Sequence, residues 1–589
     1  MKNERLQKLR SLMKEHGIDA YIIPSSDPHQ SEYVASRWKS RAWLSGFTGS
    51  AGTVVVTHDK AGLWTDSRYF LQAAQELKES GIDLFKMGTP DVPSFVEWLD
   101  KELDYAATVG FDGAVLSHKQ VEELRSSLSD QIRFEYQVDL IDSIWPDRPS
   151  IPTNSVIPLN EHYTGKARKI KIDQIRQHMQ DQDTHVHIVS ALDEIAWILN
   201  IRGNDVEFNP VVYSFLVIST ERATLYIDPQ KLDPNLKTSL ESDGIDLRDY
   251  HEIYQDLSRL SEPVTVLIDP ARSNQKLVDA IPETCRIKKQ TDVVIGYKAV
   301  KNPTEIKGIK DAHRRDGVAL VRWLMWLEKS VGKEPLNEVS IAEKLESFRQ
   351  QGELYQGPSF NTIAGYGGNG AIVHYAAQPQ TAADIKPEGL LLIDSGGQYM
   401  DGTTDITRTL ALGSVTAEQK THFTLVLKGH IDLAMATFPQ GTGGSHLDVL
   451  ARLPLWQHGL NYGHGTGHGV GHFLNVHEGP QQIRPENPTI LEPGMLTSNE
   501  PGYYREGEYG IRIENLVLTV KDESIKEASF LGFETISLCP IDRTLIDKSL
   551  LSGKEIDWLN QYHKRVWDEL SPLLDDNETE WLTEKTKPL

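Results

Sequence analysis

Cysteine is nearly absent, with only Cys285 and Cys539 in a chain of 589 residues. That excludes a disulfide framework, and neither residue has the Cys-x-x-Cys spacing of a thiolate metal site. A reducing, cytoplasmic setting is the expectation. Long apolar runs are missing too: none approaches the roughly 18 residues that a membrane-spanning helix needs. The first residues, Lys2-Asn3-Glu4-Arg5, lead into an amphipathic pattern (Leu6, Leu9, Leu12, Met13) rather than the apolar core of a secretory signal. Positive charge is scarce as well. Against 84 Asp and Glu stand 61 Lys and Arg, a formal net charge of −23. Such a chain repels phosphate backbones and anionic bilayers, so neither nucleic acid nor membrane is an expected partner. Most of the excess serves solubility, and some of the acids remain available to hold cations.

The length exceeds what one hydrophobic core supports. Pro146, Pro149, Pro152 and Pro158 fall in a stretch with neither helical nor strand period, which reads as a linker. A second start signal lies at Asn302-Pro303-Thr304-Glu305, with a capping Asn, Pro at the first helical position and Glu at the third. Ile306, Ile309, Val318, Val321 and Leu324 continue it as an apolar stripe. The expected domains are 1–155, 156–301 and 302–589, the last ending in a helical tail (Trp558, Leu559, Tyr562, Val566, Trp567, Leu570).

The first two segments resemble each other. Ala42-Trp43-Leu44-Ser45-Gly46 aligns with Ala196-Trp197-Ile198-Leu199-Asn200, and Val54-Val55-Val56-Thr57 with Leu216-Val217-Ile218-Ser219. Leu63-Trp64-Thr65-Asp66 aligns with Leu225-Tyr226-Ile227-Asp228. Each copy opens with a helical pattern and then a strand, which argues for a duplicated α/β unit.

Chemistry concentrates between residues 370 and 515. Leu390 to Asp394 reads as a buried strand, followed by a Gly-containing reversal and a second strand entered at Asp405, so that a hairpin brings the two carboxylates together. An Asp beside Gly is more often a turn residue, and alone this pair decides nothing. Next, His464, His468, His472 and His477 fall within fourteen positions, where 20 histidines in the chain predict roughly half of one. The intervening glycines prevent a regular helix and let backbone approach a ligand. No Gly-Lys-Ser/Thr follows, which removes the phosphate-loop reading. Two glutamates come next, in strand-like settings. Glu500 closes Met495–Glu500, and Glu514 lies in Gly510–Leu518 with Arg512 on its own face by the period of two. Arg512 is the simplest compensating charge for Glu514, and a cation shared by several carboxylates is the alternative.

Asp394, Asp405, His468, Glu500 and Glu514 together offer four carboxylates and one imidazole. Hard oxygen ligands with a single nitrogen suit manganese, cobalt or zinc. Five side chains, some bridging, suffice for a metal pair about 3.5–4 Å apart, which lowers the pKa of a water between them and so supports hydrolysis.

The ordered set of two aspartates, HGTGHGVG at 464–471, NEPGYY at 499–504 and GIRIEN at 510–515 resembles the pita-bread metallopeptidases, and within them the aminopeptidase P family. Phe47-Thr48-Gly49-Ser50-Ala51-Gly52 and LWTDSRYF at 63–70 are similar to the three-domain form of that family. The resemblance covers essentially the whole chain. It implies an α/β (α+β) architecture of two creatinase-like α/β domains followed by a pita-bread catalytic domain, in a homodimer. It implies a metal-dependent aminopeptidase that cleaves the N-terminal Xaa-Pro bond of peptides with proline in second position, through a hydroxide activated by two divalent metals. Manganese is the expected metal, with zinc or cobalt as alternatives. Asp405 and Glu514 would bridge the metals, Asp394 serve one, and His468 with Glu500 the other. Glu500 would also take a proton from the attacking water, while His374, His464 and His477, with Arg512, line the substrate site. His472 is expected to be structural. Tyr503 and Tyr504 are candidates for the wall of a proline pocket. An Xaa-Pro dipeptidase shares the metal site and is the nearest rival. A non-catalytic pita-bread binding protein, or a metal-free creatinase-like hydrolase, fits less well because all five ligand positions are kept.

Overall fold

The computed structural model describes residues 2–261, 264–525 and 529–589. It has two compact units, one of residues 1–159 and 166–294, the other of 160–165 and 295–589.

The first unit holds two six-stranded sheets of the same topology. In the first, the strand order is Asp83–Lys86, Ala61–Thr65, Thr53–Thr57, Ala20–Pro24, Thr108–Phe111, Arg133–Glu135. In the second it is Ile245–Arg248, Ala223–Ile227, Ser214–Ser219, Val186–Val189, Thr265–Ile268, Arg286–Lys289. In both, the three inner strands contributed first are antiparallel and the outer additions parallel. The sequence repeats therefore occupy equivalent strands, and the duplication is real. The aligned Gly46 and Asn200 do the same work: each ends a helix (Ser40–Ser45 and Leu192–Leu199) with a left-handed residue, φ 74° and 52°. Gly and Asn are the residues that tolerate that cap at least cost.

In the second unit the helix Pro303–Ser330 starts as its sequence predicts. Asn302 Oδ1 accepts from the amides of Thr304 and Glu305, and Glu305 Oε2 accepts from the Asn302 amide. A cap of this kind stabilises a helix by about 1 kcal/mol. Its Leu320, Trp323, Leu324 and Leu327 pack with Ile341 and Leu345 of the helix Glu338–Arg349. Both helices lie against Leu391, Ile393, Ile406 and Leu410 of the strands Leu390–Ser395 and Ile406–Ala411. A six-stranded antiparallel sheet carries Gly467–Gly469 between Leu496–Asn499 and Glu478–Ile483. In the tail helix Gly553–Leu570, Leu559, Tyr562, Val566 and Leu570 are buried with Phe423, Leu427 and Ile431 of Ala417–Ala434. Trp567, expected in that packing, is instead exposed: one residue past Val566, it is rotated off the apolar stripe. No described helix is long and apolar enough to cross a membrane.

Candidate metal centre

The strand Leu390–Ser395 is buried along its whole length, and its antiparallel partner Ile406–Ala411 sets Asp394 opposite Thr407. Asp405 enters that partner strand two residues before Thr407, so both acids point to the same face. The turn between them is not a simple reversal. Gly397–Tyr399 and Gly402–Thr403 form a separate small sheet with Tyr355–Pro358.

His468 sits mid-strand between two glycines whose role is packing of neighbouring backbone. A Cβ on Gly467 would lie 2.0 Å from Ser498 O, and one on Gly469 would lie 2.2 Å from Glu478 O. Its ring Nδ1 is 2.9 Å from Gly469 O, which assigns the proton to Nδ1 and aims the Nε2 lone pair at the acids. That Nε2 is 3.4 Å from Asp405 Oδ2 and 3.5 Å from Glu500 Oε1. Glu500 follows directly on the strand Leu496–Asn499, held by its amide to Thr466 O.

Glu514 differs from its expected setting. The run 510–518 is not one strand: Tyr509–Arg512 pairs with Gly502–Arg505, and Asn515–Lys521 pairs with Leu496–Asn499. Glu514 occupies the break, where its amide reaches Thr407 O and its Oε2 accepts from Thr407 Oγ1 at 2.7 Å. Arg512 is likewise placed otherwise than as the partner of Glu514. Its Nη2 and Nε reach Asp394 Oδ2 at 2.6 and 3.2 Å, and its Nη1 reaches Tyr504 Oη at 2.6 Å.

Asp405, His468 and Glu514 each offer a ligand atom within 4.8 Å of the others. The chemistry of this set fits a cation. Asp394 Oδ1 and Glu514 Oε1 are buried and accept no hydrogen bond among the described residues. Burial and the neighbouring carboxylates push Asp405 and Glu514 well above the ordinary range, and burial with Glu514 beside it brings Glu500 up to about 7. Four carboxylates answered by the single Arg512 guanidinium are an unpaid charge that divalent ions neutralise.

Of the other histidines, His477 stacks edge-on against His468 at 4.4 Å between ring centroids. His464 Nε2 lies 2.7 Å from Tyr504 Oη and its Nδ1 2.8 Å from Gly465 O. His374 lies on the irregular segment after the turn Gly367–Ala371, and the carbonyl of the preceding Val373 is 3.4 Å from Arg512 Nη2. His472 is buried. Tyr503 and Tyr504 part company by strand alternation: Tyr504 joins His464 and Arg512, while Tyr503 packs against His422 at 4.5 Å. Thr407 and Ser498 were not legible as site residues. Ser498 Oγ receives the His468 amide and lies 3.3 Å from Glu500 Oε1. Only strand register reveals either one.

Family models match along the chain: Creatinase/Prolidase N-terminal domain at 5–144 and again at 147–305, metallopeptidase family M24 at 307–521, and the C-terminal region of peptidase M24 at 529–589. Aminopeptidase P2 of Arabidopsis thaliana is 44% identical, covering 100% of this chain and 88% of its own. The chain belongs to the aminopeptidase P family of M24 metallopeptidases. A probable Xaa-Pro aminopeptidase P of Laccaria bicolor, another member, is also 44% identical, over 100% of this chain and 93% of its own. Among solved structures, the X-prolyl aminopeptidase of Caenorhabditis elegans, described as a cytosolic enzyme with a di-nuclear active site, covers 100% of both chains at 37% identity and a TM-score of 0.96. Two creatinase-type α/β domains and a pita-bread catalytic domain are thus the architecture of this family member.

Proposed function

We propose that this chain is a metal-dependent aminopeptidase that releases the first residue of peptides with proline in second position. The observation that carries the reading is the convergence of Asp405, His468 and Glu514, with Asp394 and Glu500 beside them, in a chain that matches aminopeptidases P end to end. In this reading Asp405 and Glu514 would be held in common by two divalent ions, with Asp394 serving one of them and His468 with Glu500 the other. Manganese is proposed, since the donors are mostly hard oxygens. When bound, such a pair supplies Lewis acidity that brings the pKa of water near neutrality and polarises a carbonyl.

The chain's own groups do the rest. Glu500, at the strand exit, accepts the proton of the attacking water at a carboxylate oxygen. His374 and His477 donate to the scissile carbonyl oxygen as negative charge builds on it. His464 has both ring nitrogens in protein hydrogen bonds, so its contribution passes through the Tyr504 hydroxyl, which Arg512 also holds. Proline needs a dedicated site because a tertiary amide has no N–H to offer an extended-strand recognition mode.

The domain limits 1–155, 156–301 and 302–589 are proposed with it, supported by the separate family-model matches. A homodimer is supported by an exposed apolar stripe, Val449, Leu453 and Trp456, on the helix Gly444–Trp456. A cytoplasmic location is supported by two free, buried cysteines.

The deciding assay offers metal-loaded protein an Xaa-Pro dipeptide, an Xaa-Pro-Yaa tripeptide and the tripeptide with Ala for Pro. Cleavage of the Pro tripeptide, its loss on chelation and its return with manganese are expected. Cleavage of the dipeptide alone identifies an Xaa-Pro dipeptidase instead.

A further inference from the structure

Glu338 is the first residue of the helix Glu338–Arg349 and is fully buried. A buried carboxylate is costly unless donors surround it, and this one is surrounded by a single segment. Its Oε1 accepts from the Tyr366 amide at 2.8 Å and Asn369 Nδ2 at 3.0 Å. Its Oε2 accepts from Tyr375 Oη at 2.8 Å, the Ala383 amide at 2.8 Å and Asn369 Nδ2 at 3.1 Å. Asn369 also donates to Tyr375 Oη at 3.0 Å, and the Glu338 amide returns a bond to Ala383 O at 3.2 Å.

These partners mark the start, middle and end of the stretch 366–383, which leaves the strand Ile363–Tyr366, passes through the turn Gly367–Ala371 and runs on irregularly through His374. A stretch without a regular ladder must satisfy its amides elsewhere, and one carboxylate at a helix N-terminus does so at both ends of it. The helix dipole favours negative charge at that position. His374 is bracketed: its neighbour Val373 is held through its carbonyl by Arg512, its neighbour Tyr375 through its hydroxyl by Glu338.

We propose that Glu338 is a positioning residue for His374, a clasp that gathers residues 366–383 onto the helix Glu338–Arg349 and fixes the imidazole against the metal centre. The proposal rests on the substrate-site role given to His374 above. Both Glu338 oxygens are taken up by protein donors; the residue acts through geometry alone, and a displacement of about 1 Å at a donor costs on the order of a hundredfold in rate.

Two variants test it. Glu338→Gln puts an amide NH2 where the clasp needs an acceptor, and Tyr375→Phe deletes one hydroxyl and nothing else. Amide hydrogen exchange over 367–382 is expected to rise in both, more in Glu338→Gln, with bound manganese unchanged by elemental analysis. Turnover should fall on the order of a hundredfold in Glu338→Gln, and less in Tyr375→Phe. In a His374→Ala background neither change should lower turnover further. Unchanged exchange in both variants overturns the clasp. Raised exchange with a full additive loss in the His374→Ala background overturns its action through His374. A wild type inactive on Xaa-Pro peptides overturns the peptidase reading instead, and the exchange pattern then decides the clasp. Should Glu338→Gln fail to fold, Tyr375→Phe carries the same comparison.

Discussion

The Arg512 guanidinium grips one oxygen of Asp394, Oδ2, through both Nη2 and Nε, and leaves the other oxygen, Oδ1, buried without a donor among the described residues. One oxygen is thereby oriented, and the other is the proposed ligand atom. The same guanidinium reaches Tyr504 and the carbonyl of Val373, so it ties a proposed metal ligand to two parts of the proposed substrate site.

Arg512→Lys tests that tie. A lysine keeps the charge but cannot serve Asp394, Tyr504 and Val373 with a fixed fork. Two ions should still bind at saturating metal, while kcat falls by about ten- to a hundredfold, the usual effect of losing a group that orients a metal ligand. Elemental analysis beside steady-state kinetics checks it, and wild-type kcat in the variant would remove the orienting role.

Asp405→Ala should lose metal and activity together, because in the proposed arrangement this carboxylate would hold both ions, whereas His477→Ala should keep metal and lose kcat. Glu500→Gln keeps one coordinating oxygen but takes no proton, so kcat should fall by roughly 10²–10⁴ even at saturating metal. Glu514→Gln should recover in part as metal is added. Metal titrations of the two Gln variants separate ligand from base; full rescue of Glu500→Gln would leave the base elsewhere.

Gly467→Ala should be severely destabilising. Its Cβ would meet Ser498 O at 2.0 Å, a backbone atom of a paired strand that cannot step aside. Overpacking of this kind costs about 1–3 kcal/mol, and the strand that carries His468 would be displaced. Gly465→Ala is the control, since its nearest neighbour is Arg484 Cβ at 3.5 Å. Thermal denaturation and metal content of the pair should separate them; equal behaviour would contradict the packing account.

Acid should weaken the catalytic unit through buried neutral histidines. Burial, with Arg408 nearby, pushes His430 and His563 down to about 3. His563 Nε2 accepts the Ile541 amide, a bond only the neutral ring makes. Because the folded value lies below the unfolded 6.5, this contribution is intact above pH 6.5 and is lost as pH falls toward 3. At pH 5 each histidine costs about 2 kcal/mol relative to pH 8. His563→Gln retains an acceptor and does not titrate, so its urea midpoint should drop less than that of wild type between pH 8 and pH 5. Parallel drops would assign the acid sensitivity to other groups.

Much of this was legible because the signals are local. Asn302-Pro303-Thr304-Glu305 forms its cap from contacts within four residues, and Gly46 and Asn200 end their helices by their own backbone preference. The repeated apolar runs occupy equivalent strands because alternation and turn spacing were duplicated with them. Of the two readings open for Glu514, the ion pair with Arg512 fails for the opposite reason. A period of two puts it beside Glu514 only if the strand continues, and the chain breaks at Ile513–Glu514 to join two different sheets.

The sequence by itself determined the residue types of the centre, their order, the helix starts and the duplicated α/β pattern, since each rests on composition, periodicity or capping within a few residues. Only the tertiary structure decided that Arg512 serves Asp394, that Thr407 and Ser498 support Glu514 and His468, and that Glu338 gathers the segment carrying His374. Those relations join residues that are 28 to 118 positions apart, with the Glu338–Tyr375 bond spanning 37. They depend on strand register and on which buried polar atom finds which donor, and neither leaves a local mark in the chain.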